Sequence, residues 1–239
     1  MLELRHINKI ASGKKILVDV SCAIERGSIA VFLGPSGVGK STLLRVLNNL
    51  ETIDSGSVVL DGKNLDLHAV NKTHVVGMVF QQFALFENLS VLENITLPLM
   101  IVLKKTPQEA KQIAHHFLRE YQLIEHADRF IGRLSGGQKQ RLSIVRTLAM
   151  SPKVICMDEP TSALDPLLTS YVAKTIIDLK NRGYYVLLAT HDTGLVKQLP
   201  AMLHLMKQGT IVESASSEDF FAHQDRYKKL QAFMSGSEF

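Results

Sequence analysis

Three clusters have residue types and spacings that can do chemistry. Gly34, Pro35, Ser36, Gly37, Val38, Gly39, Lys40, Ser41 and Thr42 spell G-x-x-x-x-G-K-[ST] directly after an apolar run ending at Leu33. Between a strand and a helix this pattern is a phosphate-binding loop. Its glycines let backbone N–H groups wrap a phosphate without Cβ clashes. Lys40 supplies positive charge to the β- and γ-phosphates, and the Ser41 hydroxyl suits Mg²⁺. Asp158 and Glu159 close a second apolar run, Val154 to Met157. Open α/β sheets place their ligands at such carboxyl ends of strands. Ser135, Gly136, Gly137 and Gln138 have the S-x-x-Q spacing of a capping box, so a helix starts there. A glycine-fronted helix start is also an anion site. Two single residues stand at similar strand ends: Gln81 after Val75 to Phe80, and His191 after Tyr184 to Ala189. A lone glutamine or histidine is usually plain surface, and these two gain weight only from their company.

The elements that must position these groups follow from apolar periodicity and punctuation. Leu2 to Ile7 and Ile16 to Ile24 read as strands around a Ser12–Lys15 turn, followed by strands at Ser28 to Leu33, Ser57 to Leu60 and Val75 to Phe80. A helix is expected from about Lys40 to Leu50. From Phe83 the texture becomes helical, with Thr106, Pro107 and Glu109 supplying N-cap, N1 proline and N3 acid. A helix over about Pro166 to Arg182 ends at Gly183. Strands Ala201 to Met206 and Thr210 to Glu213 then form a pair, and helices follow Ser217. The fold expected is α/β. A P-loop NTPase core, a mixed sheet with flanking helices, comes from residues 1–82 and 151–239. It carries an N-terminal antiparallel β part, and residues 83–150 form an inserted helical subdomain of the same single domain.

Composition narrows the class. The 239 residues are 46% hydrophobic and 21% charged, with formal net charge +4. Lys and Arg are scattered, so a solvated surface is favoured and no nucleic-acid partner is expected. Anionic lipid headgroups nearby would suit the same sign. Cys22 and Cys156 lie in apolar segments and read as core residues of a reducing compartment. The longest apolar run, Leu97 to Leu103, is far short of the roughly 20 residues that span a bilayer. Service to a membrane would come from the cytoplasmic side, through a partner. His115 and His116 have no further ligand at metal spacing and read as a solvated helix face.

Taken in order, GPSGVGKST, Gln81 in VFQQF, LSGGQ at 134–138, VICMDEP at 154–160, SALD at 162–165 and His191 resemble the ATP-binding cassette family. These are the nucleotide-binding subunits of ABC transporters, and the resemblance covers nearly the whole chain. MVFQQFALF, PTSALDP and EDFF are most similar to importers of polar amino acids. The resemblance implies ATP and Mg²⁺ as cofactors. Residues 34–42 would cradle the phosphates, with Ser41, Asp158 and Gln81 at the metal. Glu159 would act as general base, with His191, Gln81 and Lys40 beside it. Ser135 to Gln138 would reach ATP bound to a second copy in a head-to-tail homodimer, and Asp165 belongs with the same nucleotide-binding set. The partners implied are transmembrane permease subunits and, indirectly, a periplasmic or extracellular substrate-binding protein. The location implied is the cytoplasmic face of the cell (inner) membrane, as a peripheral subunit. An exporter, a lipid-trafficking complex or a non-transport cassette would use the same chemistry. Two departures stand out: Ala11 lies where the family carries an aromatic ring stacked on adenine, and the segment Asp61 to Val75 is shorter than in the amino-acid importers.

Overall fold

The computed structural model describes residues 1–162 and 168–237, and of Asn71 only the backbone. The strands are β1 (Leu2–Ala11), β2 (Lys14–Ile24), β3 (Ser28–Leu33), β4 (Ser55–Leu60), β5 (Lys63–Asn64), β6 (Val76–Val79), β7 (Val154–Asp158), β8 (Tyr185–Ala189), β9 (Met202–Lys207) and β10 (Thr210–Ser216). They form two sheets. One is antiparallel, in the order β2-β1-β4-β5. The other runs β10-β9-β3-β8-β7-β6, parallel except for the β10 edge. β7 and β8 are buried at every position and β3 at all but its first. Continuous apolar runs of this kind are what a parallel sheet covered on both faces requires.

Two cores cover those faces. Helix α1 (Lys40–Leu47) and the antiparallel sheet close one side, through Leu2, Leu4, Phe32, Leu43, Leu44 and Leu187. The other side holds α6 (Thr169–Asn181) and three helices that lie between β6 and β7 in the chain. These are α3 (Val91–Ile101), α4 (Pro107–Glu120) and α5 (Gly136–Ala149), which pack on one another. Each of the three opens on a complete capping box: Ser90 with Glu93, Thr106 with Glu109, Ser135 with Gln138. Such a cap is worth about 1 kcal/mol to a helix start. Short helices complete the chain: α2 (Val70–Thr73), α7 (Thr193–Val196), α8 (Ser217–Ala222) and α9 (Lys228–Met234). Among the described residues no helix is long and apolar enough to cross a membrane.

Several boundaries differ from expectation for local reasons. α1 stops at Leu47, because the Asn48 side chain donates back to the Leu44 carbonyl (2.9 Å) and Asn49 turns left-handed at φ 49°. The first hairpin is tighter than expected, with only Ser12 and Gly13 between β1 and β2, both at positive φ, as two-residue hairpins prefer. α3 takes Pro98 into its interior, so the apolar run read at Leu97 to Leu103 straddles a helix end. α6 is seen from Thr169; the expected start at Pro166 lies outside the described residues.

Candidate active site

Four neighbouring strands, β3, β8, β7 and β6, deliver the expected site residues to one edge of the parallel sheet. β3 leads into Gly34, β7 ends at Asp158 with Glu159 next, β8 precedes His191, and β6 precedes Gln81. A cavity of about 470 Å³ lies there, lined by Ile16, Pro35, Ser36, Gly37, Gly39, Lys40, Ser41, Thr42, Gln81, Glu159 and His191. Gly34 and Val38 do not line it. Gly34 is the carbonyl partner of Lys40, and Val38 packs into the core beneath the loop.

The loop must be glycine where it meets its neighbours. A Cβ on Gly39 would stand 2.6 Å from the Ile16 carbonyl oxygen, and one on Gly34 2.5 Å from that of Met206. Among the described residues α1 begins behind this loop with no side-chain cap, unlike α3, α4 and α5, and with no acid in its first turn, unlike α3 and α4. Its first N–H groups therefore face the cavity edge as an anion site. Lys40 is only 5% exposed, and its Nζ donates to the carbonyls of Gly34 (2.7 Å) and Pro35 (3.0 Å). Burial pushes the Lys40 ammonium below its usual titration range, partly offset by the carboxylates of Glu159 and Asp158. A triphosphate suits this arrangement, since it supplies the negative charge that a desolvated ammonium lacks.

Ser41 Oγ donates to Asp158 Oδ1 at 2.7 Å. Burial raises the Asp158 carboxyl above its usual range, and the Ser41 hydrogen bond opposes this. A hydroxyl and a buried carboxylate side by side form a hard-oxygen donor pair, which fits Mg²⁺. Gln81 is exposed and lines the same cavity.

Glu159 is 8% exposed and adopts φ 45°, a left-handed conformation rare for a residue with a side chain. Such strain costs on the order of 1–3 kcal/mol and persists only where surroundings fix it. Here the Glu159 N–H donates to the Ala189 carbonyl (2.8 Å), and its own carbonyl accepts from Ser162 Oγ (3.0 Å). The carboxylate is gripped as well. Oε1 accepts from His191 Nδ1 (2.9 Å), and Oε2 accepts from Thr190 Oγ1 (3.2 Å) and the His191 N–H (3.3 Å). Oε1 also lies 4.0 Å from Lys40 Nζ. Thr190 is absent from the site residues expected from sequence; its place beside His191 at the end of β8 is the signal that points to it.

The Ser135–Gln138 segment is not brought into this cavity. Its capping box is formed, with Ser135 N–H to Gln138 Oε1 at 2.8 Å and Gln138 N–H to Ser135 Oγ at 3.3 Å. Gly136, Gly137 and Gln138 are half-buried and Ser135 is exposed. A Cβ on Gly137 would meet Leu168 Cδ1 at 2.8 Å, so the glycine lets the helix start seat against the chain entering α6. The other end of α5 grips the segment after Gln81. Ser143 Oγ and Arg146 donate to the Phe83 carbonyl, and Arg146 also to that of Ala84 (2.6 Å). Asp165 lies outside the described residues. No group of histidine, cysteine or acidic side chains with metal-site spacing occurs among the described residues. Among the described residues no aromatic ring of Phe or Tyr lines the cavity; Ala11 ends β1 and Ile16 of β2 forms the apolar wall.

A phosphate loop, a buried acid pair and a histidine on adjacent parallel strands, with a helical insert opening on a glycine-led cap, define a P-loop nucleotide-binding cassette. Residues 17–162 match the ABC transporter family model, and the chain belongs to that family. It is 40% identical, over 98% of its length and 94% of the relative's, to the uncharacterized amino-acid ABC transporter ATP-binding protein YhdZ of Escherichia coli (strain K12). It is 38% identical to the glutamine transport ATP-binding protein GlnQ of Geobacillus stearothermophilus, over 98% of both chains. Its fold is similar to a dimeric structure of the ATP-binding cassette MJ0796 in a post-hydrolysis state bound to ADP and Pi. That likeness has TM-score 0.79 and 30% identity, and covers 91% of this chain and 99% of that one.

Proposed function

We propose that this chain is the ATP-hydrolysing subunit of an ABC importer of polar amino acids. It works as a homodimer on the cytoplasmic face of the cell membrane, beneath a permease fed by a periplasmic or extracellular substrate-binding protein. The observation that carries the hydrolytic reading is Glu159: a strained, buried carboxylate held by His191 and Thr190 and lying 4.0 Å from Lys40 Nζ. The amino-acid reading is supported by relatives named for that cargo and matched over nearly their full length.

In this reading residues 34–42 wrap the phosphates, and Lys40 turns from its loop carbonyls to the β- and γ-oxygens. Ser41 and Asp158, with Gln81 on the cavity that Ser41 lines, would hold Mg²⁺, and the ion would supply positive charge to the transferred phosphoryl. Glu159 takes the proton of the attacking water. His191 steadies that carboxylate through Nδ1 and has Nε2 remaining for the γ-phosphate. Ser135, Gly136, Gly137 and Gln138 act on nucleotide bound to the second copy, which suits their place outside the first copy's cavity. Asp165 belongs to the same nucleotide-binding set.

Residues 83–150 move as a helical subdomain against a core of 1–82 and 151–239. α5 links the Ser135 segment at its start to the chain after Gln81 at its end, so one rigid helix couples both. An apolar cleft of about 340 Å³ beside that chain, lined by Phe80, Phe86, Met78 and Met150, suits a permease segment. No nucleic acid is required.

Purification from membranes, with identification of bound subunits and measurement of phosphate release, tests the proposal. Recovery of a permease paired with an amino-acid-binding protein, with Mg²⁺-dependent release, is expected. An exporter partner would overturn the import reading. Tight ATP binding with no phosphate release would overturn the enzymatic one.

A further inference from the structure

The Gln138 side chain has two possible amide orientations, and one neighbour decides between them. The Ser135 backbone N–H can only donate, and it lies 2.8 Å from the amide atom that must therefore be Oε1. The Gln138 NH₂ group then faces His126 Nε2, also at 2.8 Å. An NH₂ group donates, so His126 Nε2 must accept, and the ring hydrogen is on Nδ1. His126 Nδ1 is buried and has no hydrogen-bond partner among the described residues. None of them competes for the tautomer on that side of the ring.

The ring is held in place by its backbone. His126 closes a tight turn, Ile124–His126, after α4, and its carbonyl accepts from the Arg129 N–H (2.9 Å). The chain just beyond is stitched to the start of α3 through Leu92 N–H to the Ala127 carbonyl and Val91 N–H to that of Arg129, both 2.9 Å. His126 is thus a fixed acceptor set 12 residues before Gln138.

From this geometry we infer that His126 is a positioning residue for the Ser135–Gln138 segment. Its Nε2 locks the Gln138 amide so that Oε1 stays on the Ser135 N–H and the capping box stays closed. Without that acceptor the amide is free to turn over, setting NH₂ against the Ser135 N–H and opening half of the box. The functional consequence rests on the proposal above that this segment completes the nucleotide site of a second copy. His126 touches no nucleotide and acts only through Gln138.

Two measurements test the lock. Nitrogen-15 NMR of the His126 ring in the full chain reads the tautomer without reference to pairing. Hydrogen on Nδ1, with Nε2 bonded to the Gln138 amide, is expected; hydrogen on Nε2 overturns the inference. The second is ATP-driven pairing in a Glu159→Gln background, followed by light scattering. His126→Phe keeps ring volume and removes the acceptor, and should weaken pairing about five- to tenfold, the scale of one neutral hydrogen bond. His126→Gln, which carries an acceptor oxygen to a similar reach, should restore pairing to within about twofold of wild type on the same scale. Equal pairing by wild type and His126→Phe overturns the inference, as does failure of His126→Gln to rescue. Gly137→Asp separates the two readings. If it pairs normally, the proposed role of the segment fails, while the tautomer still decides the lock.

Discussion

His191 Nδ1 lies 2.9 Å from Glu159 Oε1, a contact made across 32 residues and between the ends of neighbouring strands. The same histidine donates its backbone N–H to Oε2. One residue therefore fixes both oxygens of the carboxylate nearest Lys40, while the left-handed backbone of Glu159 turns that carboxylate toward it.

Replacing the base tests its role directly. Glu159→Gln keeps shape and hydrogen-bonding reach but has no proton affinity to offer water. It should bind ATP, hydrolyse it at least about 10²-fold more slowly, and accumulate as an ATP-bound dimer. Phosphate release and light scattering check both halves. Hydrolysis near the wild-type rate would remove Glu159 from the role.

Asp158 should show a stability cost of function. Its folded-state carboxyl is raised from 3.8 by burial, so the folded chain keeps this proton to higher pH than the unfolded chain does. Its contribution to stability is full below 3.8 and is lost as pH rises through the raised value. At neutral pH the nucleotide-free protein therefore carries an unfavourable buried charge. Asp158→Asn should raise the nucleotide-free Tm by roughly 2–4 °C and abolish the extra stabilisation that Mg²⁺ adds to ATP. A lower Tm for the variant, or an unchanged Mg²⁺ effect, would contradict this.

Where the family resemblance implies an aromatic ring against the base, this chain carries Ala11. Stacking of a base on an aromatic side chain is worth about 1–3 kcal/mol. Ala11→Tyr should tighten ATP binding by roughly tenfold and alter the ratio of ATP to GTP affinity. Equilibrium titration with both nucleotides measures it. Unchanged affinity would show that stacking is not the missing interaction.

His204 should make the fold acid-sensitive. It stacks on Phe32 with ring centroids 5.4 Å apart, bonds Ser214 Oγ through Nδ1 (2.8 Å), and leaves Nε2 buried without a partner among the described residues. Burial pushes it down from 6.5 to about 4. The stability it contributes is present above 6.5 and is lost as pH falls toward about 4. Urea unfolding should show about 2 kcal/mol less stability at about pH 5 than at about pH 7 from this group alone. His204→Met should remove that part of the pH dependence. An identical pH slope in wild type and variant would contradict it.

What the sequence made legible was local. The phosphate loop, the Ser135–Gln138 cap and the acid pair at the end of β7 are each written within a few adjacent residues, and each has the expected local form. The cap at Ser90 and Glu93 is written just as locally, yet Pro98 inside the helix Val91–Ile101 breaks the pattern by which that helix would be read. The pairing of β1 with β4 and the order β9-β3-β8-β7-β6 depend on long-range packing that no local pattern states. Thr190 on Glu159, and His126 on Gln138, are contacts across 31 and 12 residues, set by where strands and turns come to rest.

The central claim is that each ATP site is finished by a second copy of the chain. The most direct test is hydrolysis per protomer measured across a wide range of protein concentration, with association state followed in the same samples. The rate should climb with concentration as dimers form and then level off. A rate that stays constant in samples that remain monomeric throughout, and that survives replacement of Ser135 and Gly137, would contradict the claim.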